Sequence, residues 1–155
     1  MISIGDKVPE FNVSIDGDTK FALSDATGKN LILYFYPKDD TPGCTKEAIE
    51  FSESFDAFHA LETIVIGVSR DSLKIHDKFV CKYNLRNHLI SDGDGRLCEI
   101  FGTWVEKKMY GKSYMGIERA TFLINPKGEV SYIWRRVKVV GHVADVLATI
   151  KNHNT

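Results

Sequence analysis

The sequence predicts an α/β domain built on a mixed central sheet, parallel in its first part and antiparallel in its last. Three observations carry that expectation. Two continuous apolar runs, at 31–36 (LILYFY) and 63–69 (TIVIGVS), have the length and character of strands buried on both faces. Helical patterns lie between and after them, so the two strands should run parallel through a right-handed crossover. Late in the chain, ATFLI and VSYIWR flank Asn125-Pro126-Lys127-Gly128, a strong hairpin turn.

Each element follows from its own stretch of chain. Residues 1–30 read as a mobile or hairpin-like entry, with FNVSI at 11–15, a turn at Asp16-Gly17-Asp18 and KFAL at 20–23. After the first apolar run, Cys44, Ala48, Phe51, Phe55 and Phe58 fall at steps of four, three, four and three, the core-facing stripe of one helix. A second helix is expected at about 71–83. HLIS (88–91) reads as a short strand and RLCEIFG (96–102) as a short helix. Residues 103–116 read as a long loop with Trp104, Tyr110 and Tyr114, packing aromatics ahead of substrate contacts. An amphipathic helix at about 142–151 closes the chain.

Composition narrows the function classes. The 155 residues show no repeat, linker or low-complexity stretch, so residues 1–155 are expected to form a single domain. A net charge of −1 leaves no electrostatic footprint for nucleic acid or an anionic membrane, and Arg135, Arg136 and Lys138 read as a solvated strand end. No apolar run is long enough to span a bilayer, and no secretory signal opens the chain. The three cysteines (Cys44, Cys81, Cys98) are odd in number and form no CxxC, which argues against a secreted disulfide framework and for a reducing, cytoplasmic setting. The five histidines share no metal-ligand spacing with them, so neither a zinc site nor another cofactor is expected.

The chemistry concentrates at Thr41-Pro42-Gly43-Cys44. Threonine is a good N-cap and proline is favoured at the first helical position, which puts Cys44 at the third, where a capping box usually carries glutamate. An anion there meets free backbone N–H groups and the positive end of the helix dipole, so thiolate should be favoured over thiol. Asp39 and Asp40 oppose this, so a cation is needed nearby. On these residues alone, a reactive thiol and a small buried hydrophobe are both open for Cys44. Arg119 is only a charge at the start of an apolar strand.

Pro37-x-x-x-Thr41-x-x-Cys44 after an apolar strand resembles the active-site motif of the peroxiredoxins. FYPKDDTPGCTKEA resembles the bacterioferritin comigratory protein, or peroxiredoxin Q, subfamily. The likeness extends through GVSRDS, LISDGDG, FGTWVEKKMYGKSYMGIERATFLI and GHVADVLATIK, and so over nearly the whole chain. The resemblance implies a thioredoxin-like fold and a thiol-dependent peroxidase for hydrogen peroxide and organic hydroperoxides. It implies Cys44 as the peroxidatic nucleophile, Thr41 as a hydroxyl bonding sulfur and peroxide, Pro37 as a shield from water, and Arg119 as the missing cation. Thioredoxin or another thiol is the implied reductant, and the subfamily's habit favours a monomer. A thioredoxin-type disulfide oxidoreductase is opposed by the lack of CxxC, and a peroxide-sensing binding module would not turn over.

One departure from the resemblance matters. Many members carry a resolving cysteine five residues after the first, where this chain has Ile49, so a disulfide within that helix is excluded. Others place it on the helix after the second core strand, the region of Cys81. Cys81 shares its helix face with Lys74, Asp77 and Lys78, so it should be exposed. A disulfide needs Cα atoms within about 7 Å, which would require both helix ends to unwind. Cys98 reads as structural. Resolution by Cys81, a one-cysteine cycle with an external thiol and, last, resolution by Cys98 all stay open.

Overall fold

Every side chain from Leu31 to Phe35 is fully buried, and the alternation of faces along this strand organises the molecule. The protein's structure, a computed structural model, describes residues 1–16 and 19–153, so Gly17 and Asp18 of the expected first turn lie outside the described residues. The chain runs through β1 (Asn12–Ile15), β2 (Thr19–Ala22), β3 (Asn30–Phe35), α1 (Pro42–Glu53), α2 (Phe55–Ala60), β4 (Thr63–Ser69) and α3 (Leu73–Tyr83). It continues through β5 (His88–Ser91), α4 (Arg96–Phe101), β6 (Trp104–Met109), β7 (Lys112–Ile117), β8 (Ala120–Ile124), β9 (Val130–Trp134) and α5 (His142–His153).

The main sheet has seven strands in the order β2-β1-β5-β4-β3-β8-β9. Strands β5, β4 and β3 are parallel, whereas β8 and β9 join antiparallel, as the apolar runs and the late turn predict. The opening hairpin is also part of this sheet, antiparallel to β5 at Ile15–Ile90. The sheet is therefore antiparallel at both ends and parallel only in its middle, which corrects the expectation of a parallel first part.

Leu31, Leu33 and Phe35 face one core with Ile66, Phe101 and Phe122. Ile32, Tyr34 and Tyr36 face the other, where Ala48 and Phe51 of α1, Phe79 of α3 and Val146 and Ile150 of α5 cover the sheet. The helices thus flank the mixed sheet as expected. Gly67 is required by a close approach: a Cβ there would lie 2.6 Å from the Tyr34 ring, which crosses it to stack on Phe51 with centroids 4.4 Å apart. No helix among the described residues is long and apolar enough to cross a membrane.

Three expectations need correction. The single helix of the Cys44 stripe breaks at Ser54, whose ψ of 9° separates α1 from α2. Phe55 consequently leaves the core; half-buried, it stacks on His59 and lies beneath the Arg86 guanidinium at 4.2 Å. Residues 103–116 are not a loop, because β6 and β7 form a separate hairpin. Its turn, Tyr110-Gly111, has positive φ at both positions (52° and 76°), the geometry of a tight two-residue hairpin. Arg135, finally, is half-buried rather than solvated, and donates to the carbonyls of Phe101 and Gly102 and to Glu118.

Candidate active site

The loop leaving β3 is fastened before it reaches the helix. Asp39 is buried; its carboxylate accepts the Tyr36 hydroxyl at 2.6 Å and meets His76 Nδ1 of α3 at 2.5 Å. His76 Nε2 in turn donates to the Ile90 carbonyl, and the Asp39 N–H donates to Asp71. Asp40, at a φ of 59°, accepts from Lys82 Nζ at 2.8 Å and from the Tyr83 hydroxyl at 2.6 Å. These two bonds hold the Asp40 carboxyl below its ordinary range. The loop is thereby tied to α3 at two places, on either side of Cys81.

Thr41 occupies the N-cap with extended backbone, Pro42 opens α1, and Cys44 is the third helical residue, all as expected. The cap bond itself differs. The Thr41 hydroxyl donates to the Lys38 carbonyl at 2.8 Å instead of accepting from the helix, so its proton is committed to that carbonyl. Cys44 is 2 % exposed and packs into the core beneath α1.

The cation needed beside Cys44 is Arg119. It lies between β7 and β8, and its Nη2 donates to Cys44 Sγ at 3.3 Å. Gly43 makes room for it, since a Cβ there would sit 3.2 Å from Nη2. The second face of the guanidinium meets an acid. Arg119 Nη1 donates to Glu47 Oε1 at 2.7 Å, and Glu47, fully buried, leaves Oε2 with no partner among the described residues.

Sequence reasoning missed Glu47. The signal was there: it stands three residues after Cys44 and beside Ala48, a charge inside the buried stripe. Burial pushes its carboxyl up to about 7, against the pull of Arg119. A carboxyl raised above its ordinary value binds more protons folded than unfolded, so its contribution to stability is greatest below about pH 4.5 and declines as the pH rises through about 7. Glu47→Gln should flatten that decline. The variant's melting temperature relative to the original chain should rise between about pH 5 and pH 8 in thermal denaturation. A difference constant across that range would contradict the burial argument.

Of the residues singled out by sequence, Cys44 and Arg119 are in contact and Thr41 starts the same helical turn. Pro37 is exposed on the preceding loop, and Cys81 is exposed on α3. Cys98 is fully buried on the opposite face of the sheet. Burial, reinforced by Asp92, pushes its thiol up to about 12, which suits the structural reading. Tyr110, at the hairpin tip, is 96 % exposed and Tyr114 is exposed on β7, so neither packs beneath a loop as expected, while Trp104 lies under Arg70 at 4.6 Å.

The family model described as AhpC/TSA matches residues 4–133. The chain is 48% identical over 151 residues to peroxiredoxin Bcp of Bacillus subtilis (strain 168), covering 97% of this chain and 96% of that one. It is 35% identical over 152 residues to peroxiredoxin Bcp of Escherichia coli (strain K12), covering 98% and 97%. Among solved structures, a cysteine-to-serine mutant of Xylella fastidiosa PrxQ superposes with a TM-score of 0.96 at 42% identity, covering 100% of this chain and 99% of that one. A Xanthomonas campestris bacterioferritin comigratory protein, solved as a trapped intermediate/ligand complex for its alkyl peroxide reduction activity, gives 0.90 at 44% identity, covering 97% and 100%.

Proposed function

Because the chain belongs to the AhpC/TSA family, in its Bcp or peroxiredoxin Q branch, we propose that Cys44 is the thiol that attacks hydroperoxides. The chain is a thiol-dependent peroxidase with the thioredoxin-like fold of its relatives, and its cycle takes a hydroperoxide as oxidant and a thiol as reductant. One observation supports the assignment above the others: a buried sulfur at the third position of a helix, 3.3 Å from a guanidinium.

The chemistry follows from that arrangement. The Cys44 thiolate attacks the terminal peroxide oxygen, forming the S–O bond as the O–O bond breaks. Sulfur is oxidised to sulfenic acid, and the other oxygen leaves as hydroxide or alkoxide and takes a proton to become water or alcohol. Arg119 holds the thiolate and stabilises the charge that moves onto the departing oxygen. The Thr41 oxygen, its own proton committed to Lys38, offers lone pairs to the O–H of the peroxide. Pro37 limits the approach of water from the loop side. The rate rests on this alignment of sulfur with the O–O bond and on the charge placed to meet the departing oxygen.

The sulfenic acid must then be reduced. Ile49 removes the partner within α1, and we assign resolution to Cys81, followed by reduction of the disulfide by thioredoxin in a cytoplasmic monomer of one domain. Cys44 is buried and Cys81 exposed, so the two can join only if the Asp39–His76 and Asp40–Lys82–Tyr83 ties between loop and α3 open. Intact mass and peptide mapping after one equivalent of hydrogen peroxide test the scheme. The expected product has lost two hydrogens and links Cys44 to Cys81. Oxygen retained on Cys44 without a crosslink would assign the second step to an external thiol, and oxidation that spares Cys44 would overturn the assignment of the nucleophile.

A further inference from the structure

Asp39 and His76 hold matching places in the chain: Asp39 stands five residues before Cys44, and His76 five residues before Cys81. Their side chains meet in the interior, with 1 % of Asp39 and 3 % of His76 exposed. Asp39 Oδ1 accepts the Tyr36 hydroxyl at 2.6 Å, Oδ2 meets His76 Nδ1 at 2.5 Å, and the Asp39 N–H donates to Asp71 Oδ2 at 2.8 Å. The other nitrogen of the ring, Nε2, donates to the Ile90 carbonyl of β5 at 2.9 Å. One imidazole thus joins the loop before α1, the helix α3 and the sheet. The second tie is of another kind. Asp40 and Lys82 meet at the surface, with side chains 43 % and 58 % exposed, where water replaces a lost bond at little cost. Moving Asp39 away instead leaves the Tyr36 hydroxyl and His76 Nδ1 without partners in the interior.

We propose that His76 is a positioning residue of the second step of the cycle. By holding Asp39 it sets how often the loop before α1 comes away from α3, and so how the Cys44 sulfenic acid is divided between two fates. In the first, the Cys81 thiolate attacks the sulfenic sulfur; the S–S bond forms, the S–O bond breaks, and the hydroxide released takes a proton to become water. In the second, the sulfenate sulfur attacks another hydroperoxide; a new S–O bond forms, the O–O bond breaks, water or alcohol leaves, and sulfur is oxidised to sulfinic acid. The second fate needs only peroxide at the closed site. The first needs the exposed Cys81 and the buried Cys44 to meet, and therefore the loop to open. A tight buried pair thus lengthens the life of the sulfenic acid and leaves the chain open to overoxidation.

This inference rests on Cys81 being the resolving thiol, and the test keeps the two apart. Each protein is mixed with increasing hydrogen peroxide, quenched, and mapped for the Cys44–Cys81 link and for sulfinic acid at Cys44. In His76→Leu the Asp39 carboxylate loses its buried partner and is drawn toward water, so the loop opens more readily. The ratio of sulfinic acid to disulfide at equal peroxide should fall about tenfold, the scale of one buried hydrogen bond. Asp40→Asn weakens the exposed tie while keeping a residue that tolerates the positive φ there, and should move the ratio by about twofold at most. Cys98→Ala loosens packing on the opposite face of the sheet and should leave the ratio in place, whereas a His76 that merely supported stability would act no differently from it. If the link forms in the original chain and His76→Leu leaves the ratio unmoved, or either control shifts it as far, the inference is overturned. If no Cys44–Cys81 link forms in the original chain, the assignment of Cys81 fails and this inference with it. Should His76→Leu not fold, Asp39→Asn weakens the same pair from the loop side and is read by the same ratio.

Discussion

Cys44→Ser is expected to reduce peroxide consumption to the uncatalysed background while leaving the fold intact. The side chain is 2 % exposed and differs from serine by one atom, and the Arg119 N–H that reaches sulfur at 3.3 Å can donate equally to a hydroxyl. What disappears is the ionisable nucleophile, since an alcohol supplies no anion at neutral pH without a base beside it. Cys98→Ala provides the contrast. Cys98 is buried across the sheet with a thiol pushed up to about 12, so its removal should cost roughly 1–2 kcal/mol of packing and leave turnover unchanged. Stopped-flow peroxide reaction with both variants decides the matter. Peroxide consumption that survives in Cys44→Ser would remove Cys44 from the chemistry.

The features that made these contrasts possible differ in how far the sequence exposes them. Strands β3 and β4 are continuous apolar runs buried on both faces, so they are visible within a few residues. The position of Cys44 in the first helical turn is equally local, because proline and an N-cap residue mark a helix start wherever they occur. Arg119 is different. Seventy-five residues separate it from Cys44, and no short-range pattern joins them; the resemblance alone singled it out. The β6–β7 hairpin escaped because its lysines and exposed aromatics hide the alternation of a half-buried strand, leaving Tyr110-Gly111 as its only turn signal. Glu47 was within reach of local reasoning, as a charge three residues along a buried face. The direction of the Thr41 hydroxyl was not, since it depends on where the Lys38 carbonyl is brought by the ties of Asp39 and Asp40 to α3.

Arg119→Met should separate rate from stability. Losing the donor to Cys44 Sγ is expected to lower the peroxide rate constant roughly 10²–10³-fold, the range for removal of one preorganised charged donor. The same substitution strands Glu47, which is fully buried and has Arg119 as its ion-pair partner. Removing one member of a buried pair costs about 3–5 kcal/mol when the remaining charge must persist. Glu47 has an escape, because burial already lifts its carboxyl to about 7 and the loss of Arg119 removes the pull that opposes this. It should therefore bind a proton, and the destabilisation should be small at about pH 5 and grow as the pH rises beyond about 7. Adding Glu47→Gln removes the titrating group, so the double variant should recover stability at high pH while remaining slow. Chemical denaturation across pH, paired with stopped-flow rates, reads both quantities on the same samples. If the double variant regains peroxide activity along with its stability, Arg119 acts by holding the packing around α1, and the reacting charge is held by some other group.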